Sequence, residues 1–124
     1  MLRFEISGKP IPMSRPRVTR NGHTYYGKKA TEYKKELTLG LMQQRSARIE
    51  HLTIPVAVRI VYYGLNPNAD LDNAAKMTLD CLVDAGVLPD DNVKNVTFLM
   101  LRSNQAPKGK ERTVIEIWRE DNDA

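Results

Sequence analysis

The sequence predicts an α+β fold, a mixed β-sheet carrying two main helices. Three observations lead to it. Apolar and polar residues alternate at strand spacing near both ends of the chain, two internal stretches repeat their apolar residues at helical spacing, and the elements fall in the order β, α, β, α, β, β. Strands interrupted by helices in that order pack as helices laid on a sheet.

Leu2, Phe4 and Ile6 alternate with Arg3, Glu5 and Ser7, so residues 2–7 read as a strand with one buried face. Pro10, Pro12 and Pro16 keep the next segment extended, because proline removes a donor and restricts the residue before it. Asn21-Gly22 is a strong turn signal, and a small hairpin is expected from Arg20 to Gly27. From about Ala30 to Arg48 the pattern is helical. Tyr33, Leu37 and Leu41 recur every four residues, Lys34, Lys35, Gln43 and Gln44 lie off that stripe, and Thr31 is the expected cap. Residues 54–63 follow as a strand with Val56, Val58, Ile60 and Tyr62 on one face, and Pro55 points to a sheet edge at its start.

Gly64 and Asn66-Pro67-Asn68 mark a loop. A second helix is expected from about Asn73 to Ala85. Asp72 suits its N-cap, Gly86 its stop, and Ala75, Leu79, Leu82 and Val83 its core face. Two strands, about 95–102 and 112–119, complete the chain, joined by a polar loop with Pro107 and Gly109. Trp118 alternates with exposed residues in the last strand and reads as core or dimer contact.

The length of 124 residues fits one domain, 1–124, with a small core that dimerisation would readily reinforce. Cys81 stands alone, which excludes an internal disulfide and a cysteine-based zinc site and fits a reducing cytosol. Packing is its expected role. No apolar run is long enough to span a membrane, so a cytoplasmic location is expected. His23 and His51 have no metal-like spacing.

The net charge of +4 hides an asymmetry: residues 1–60 carry +8 and residues 61–124 carry −4. A basic half points to a polyanion partner, an acidic half to cation chemistry. Arg15, Arg17, Arg20, Lys28, Lys29, Lys34 and Lys35 cluster with Tyr25 and Tyr26, the residue types that neutralise phosphates and stack on bases. A solvated surface would also account for them.

Asp70-Leu71-Asp72-Asn73 sits where a loop enters a helix. Two carboxylates two residues apart in an extended segment point the same way, and such a pair is costly without a cation between them. Hard oxygen donors of this kind suit magnesium. The same run also makes an ordinary helix start, since Asp is favoured in the first turn. Pro89-Asp90-Asp91-Asn92 has the composition of a turn. Lys76 shares a helix face with Asp72, where it could serve the same reaction centre or form a salt bridge of roughly 0.3 kcal/mol. An EF-hand would need Asp or Asn at Ala74 and Gly at Ala75; a haloacid-dehalogenase-type phosphatase would need Thr at Ala74.

Asp70-Leu71-Asp72-Asn73, Lys76, Asp80, Leu82, Ala85-Gly86-Val87 and Asp90-Asp91-Asn92-Val93 together resemble the signature of the RusA family of Holliday junction resolvases. Length and element order match as well. Ser14-Arg15-Pro16-Arg17 resembles the arm of a phage and Gram-positive branch of that family. The resemblance implies an endodeoxyribonuclease that resolves four-way junctions by paired symmetric nicks in recombination and repair. It implies Mg2+ held by Asp70, Asp72 and Asp91, with Mn2+ able to substitute, a catalytic Lys76 and a homodimer on branched DNA. Arg15, Arg17, Arg20, Lys28 and Lys29 are the expected DNA contacts. Where some members carry a basic run before the acidic box, this chain has Asn66-Pro67-Asn68-Ala69. Two other readings stand beside this one: a non-catalytic binder of branched DNA, and a metal-dependent phosphatase.

Overall fold

The computed structural model describes residues 1–13, 17–25, 27–45 and 55–120. The alternating N-terminal segment forms β1 (Leu2–Ser7). A hairpin of β2 (Arg17–Val18) and β3 (Thr24–Tyr25) follows, then α1 (Lys28–Gln44). β4 (Val56–Tyr63), α2 (Leu71–Asp84), β5 (Val96–Asn104) and β6 (Arg112–Arg119) complete the chain. The fold is α+β, as its patterning predicts. Its main sheet has four strands in the order β1-β6-β4-β5, with β4 and β5 parallel and the other pairs antiparallel.

β4 lies inside the sheet, not at its edge. Pro55 stands one residue before the strand, where its missing N–H interrupts no ladder and its carbonyl accepts the Glu120 N–H at 3.0 Å. Burial on both faces follows from the central position: Val58, Ile60 and Tyr62 face the helices, while Ala57 and Val61 are also buried on the other side.

Both helices start earlier than their apolar stripes indicate. Gly27 is the N-cap of α1, and the Thr31 hydroxyl donates to the Gly27 carbonyl at 3.1 Å from inside the first turn. Mid-helix Gly40 lets α1 approach β1 closely, since a Cβ there would lie 3.1 Å from Ile6 Cδ1. Asp70, not Asp72, is the N-cap of α2, which places Asp72 in the first turn.

The core face of α2 is Ala74, Ala75, Met77, Thr78, Cys81 and Leu82, while Leu79 and Val83 are only partly buried. Thr78 is polar, so hydrophobic patterning passes over it. It is buried because its hydroxyl shares a hydrogen bond with Tyr62 Oη at 2.7 Å and reaches the Ala74 carbonyl at 3.1 Å. Cys81 packs at the α1–α2 contact, its thiol donating to the Lys34 carbonyl at 3.6 Å, and burial pushes the thiol pKa up. Gly86, at φ +76, ends the helix in the left-handed region. Arg45, at the end of α1, donates to the carbonyls of Ala85 and Gly86 and joins the two helix ends.

The two sheet edges differ. At β1 the Gln44 side chain bonds both backbone groups of Glu5, at 3.2 and 2.7 Å. The outer side of β5 has no such cover among the described residues, and Phe98, Leu99 and Met100 are exposed along it. Among the described residues, no helix is long and apolar enough to cross a membrane.

The Tyr62–Thr78 pair supplies a stability prediction. Tyr62→Phe leaves Thr78 its bond to Ala74, whereas Thr78→Val strands the buried phenol, which should cost roughly 1–3 kcal/mol. Urea unfolding should therefore rank Thr78→Val as the more damaging change. Equal midpoints would show that the phenol has another partner.

Candidate active site

The loop after β4 is held by local bonds. Ala69 N–H reaches the Asn66 carbonyl at 2.9 Å, and Asn68 N–H reaches Asn66 Oδ1 at 2.9 Å. It delivers Asp70 in an extended conformation, φ −81 and ψ 128, directly before α2. Asp70 makes no side-chain cap bond to the helix backbone; among the described residues its carboxylate accepts only the Asn73 side-chain amide, at 3.5 Å. Asp72 Oδ1 accepts the Asn73 backbone N–H at 3.0 Å. Both carboxylates are exposed, at the end of the helix where the macrodipole favours negative charge.

Lys76 is exposed one turn after Asp72 and forms no ion pair among the described residues. The surface salt bridge that its spacing allows is not made. Its ammonium is free to meet an incoming anion.

Asp90 and Asp91 are not equivalent. Asp90 is committed to its own turn: Oδ1 accepts the Asp91 N–H at 2.8 Å and Oδ2 accepts the Asn92 side-chain amide at 3.2 Å. Asn92 in turn anchors Asn95, whose carbonyl accepts the first N–H of β4 at 2.8 Å. The exposed Asp91 carboxylate has no hydrogen bond or ion pair among the described residues. Both acidic boxes end in an asparagine whose amide holds the first aspartate of the box. Reading the sequence for carboxylates alone misses this role of Asn73 and Asn92, although the asparagine closing each acidic run is the signal that could have found it.

The boxes stand apart. Asp70 and Asp72 follow the C-terminal end of β4, and the Asp90–Asp91 turn precedes the N-terminal end of the parallel strand β5. α2 spans the separation, and its 14 residues are roughly 21 Å long at ~1.5 Å per residue. Accordingly, among the described residues, no three His, Cys, Asp or Glu side chains stand close enough to hold one metal ion. Asp70 and Asp72 remain a pair of exposed hard-oxygen donors, which fits magnesium, an ion that takes one or two carboxylates and keeps several waters.

Arg20 is exposed in the β2–β3 turn, and Lys28 and Lys29 are exposed in the first turn of α1, Lys28 beside Glu32 at 3.9 Å. Arg17 lies in β2. Arg15, Tyr26 and His51 lie outside the described residues. His23 is exposed with no metal-ligand neighbours among the described residues. The proline-rich segment is tied to the acidic box, since Met13 N–H donates to the Asn73 carbonyl at 3.1 Å.

No curated protein matches this chain. The family model described as Endodeoxyribonuclease RusA matches residues 7–118, a span that takes in both acidic boxes, Lys76 and the basic segment. The chain therefore belongs to the RusA family of endodeoxyribonucleases, hydrolases of DNA phosphodiester bonds that act on branched junctions.

Proposed function

We propose that this protein is a magnesium-dependent, structure-selective endonuclease of the cytoplasm that resolves four-way DNA junctions in recombination and repair. The observation that carries the reading is the exposed trio on α2: Asp70, Asp72 and Lys76 share the start of one helix, and none is neutralised by an ion pair among the described residues. Two carboxylates and, one turn on, an ammonium, none of them in an ion pair among the described residues, suit a metal ion and a phosphate. Asp70 and Asp72 hold Mg2+, for which Mn2+ can substitute. A divalent ion held there would supply polarisation of the scissile phosphate and a lowered pKa for an attacking water. Lys76 stabilises the charge that grows on the phosphate oxygens.

Asp91 is the third ligand, and the topology supports its arrival from a second copy. Its carboxylate has no hydrogen bond or ion pair among the described residues, yet it belongs to the opposite end of α2 from Asp70. A two-fold homodimer brings each Asp91 to the partner's helix start and gives two equivalent sites, one for each of the paired nicks a junction requires. Arg15, Arg17, Arg20, Lys28 and Lys29 hold the duplex arms through phosphates.

Asp70→Asn or Asp72→Asn should abolish magnesium-dependent cleavage of a synthetic four-way junction without weakening binding. Lys76→Ala should slow single-turnover cleavage by ~100-fold, or ~2.7 kcal/mol of transition-state stabilisation. Full activity in either aspartate variant, or a lysine variant within threefold or so of the parent, would return these residues to a surface role.

Asp91→Asn should cost far more activity than Asp90→Asn. Mixing Asp70→Asn with Asp91→Asn protein tests the composite site. If ligands are shared across the two-fold, mixed dimers keep one intact site, so about a quarter of the sites recover and make single nicks. A mixture as inactive as its components would place all three ligands in one copy.

Alanine at Arg15, Arg17 and Arg20 together should flatten the dependence of log affinity on log salt by about 0.9 for each phosphate left without its arginine. An unchanged slope would remove the arm from the DNA interface.

A further inference from the structure

Asp80 belongs to the acidic signature, yet neither the metal pair nor the turn at Asp90 uses it. It lies two turns after Asp72 and one after Lys76, on the same stripe of α2. It is half-buried and forms no ion pair among the described residues, although Lys76 is four residues away on the same helix. Beside it is a cavity of about 330 Å³ between α1, α2 and the proline-rich segment, whose lining among the described residues includes Met13, Lys34, Lys76, Met77 and Asp80. The Lys34 ammonium pairs at 3.5 Å with Asp84, which lies outside the lining of this cavity, and the bond from Met13 to Asn73 ties the proline-rich segment to α2.

The lining combines a soft apolar floor with a polar rim. Met13 and Met77 present thioethers, which adapt to flat aromatic faces. Asp80 presents an acceptor, and Lys34 and Lys76 present donors. The volume falls at the low end of pockets that take small molecules, roughly 300 Å³ upward. Lys76 also fronts the proposed phosphate site, so whatever enters this cavity is close along the strand to the bond being cut.

We infer that the cavity receives one unstacked nucleobase of the strand being cut, read at its exocyclic amino group by Asp80 and at a ring acceptor by Lys34. Carboxylates accept from such amino groups, and lysines donate to ring nitrogens and carbonyls. The bases at a junction centre are easier to unstack than those within an arm, which lowers the cost of extruding one. Thymine has no exocyclic amino group and is the base this pocket rejects. Asp80 and Lys34 are then specificity residues of the reaction, a role that rests on the endonuclease reading above.

The experiment has two arms. In the first, 2-aminopurine is placed in turn at each nucleotide flanking the cut, and the junction is bound by the Asp70→Asn variant, so that no cleavage is needed. A several-fold rise in emission at one position, lost when Met13→Ala is added, is expected; no rise at any position overturns the inference. The second arm measures cleavage of junctions that differ only in the base at that position. The parent should disfavour thymine by at least about tenfold, the value of one base-edge contact, and Asp80→Asn should remove most of that preference. Discrimination against thymine that survives Asp80→Asn overturns it as well. Were Asp70→Asn to cut normally, the catalytic assignment would fail while the emission arm still decided the pocket.

Discussion

The parallel pairing of β4 with β5 is the constraint from which the rest of the molecule follows. Two parallel strands side by side cannot be joined by a tight turn; the chain must cross back over the sheet. Here α2 is that crossing. The crossing fixes the acidic residues at its two ends: one box where the chain leaves β4, the other where it returns to β5. It also sets the burial of α2 against the sheet through Tyr62 and Thr78 and against α1 through Cys81. The helix that fills the core is thereby also the helix that separates the two acidic boxes.

The order of elements was legible because each carries its own period. Leu2, Phe4 and Ile6 alternate, Tyr33, Leu37 and Leu41 step by four, and the structure places both sets against the core. What patterning could not give depends on neighbours. Pro55 looks like an edge residue from its missing donor, but the strand after it is central because two other strands pair with it. Thr78 looks like an exposed position until Tyr62 supplies its bond. Asp72 looks like a cap, but the helix begins one residue before it, at Leu71.

The same holds at the site. The residue types and their spacing located the acidic boxes, because carboxylates two apart are conspicuous. Which carboxylates are free was not in the spacing. Asp90 spends both oxygens on its own turn, and Asp91 spends neither among the described residues. The distance between the boxes was hidden as well: it depends on the direction of β5, and strand direction is set by pairing that a linear sequence does not display.

The unequal edges of the sheet bear on how large an assembly of this protein can become. Gln44 occupies the backbone groups of Glu5 on one side, while the strand on the other side leaves its ladder open among the described residues. A sheet with two open edges can extend without limit, which is the geometry of fibrils. Gln44 covers one residue of β1, so it narrows that edge for strand addition and leaves β5 the more open of the two among the described residues. The edge that carries Phe98, Leu99 and Met100 is thereby the side on which a further strand finds backbone groups left open among the described residues.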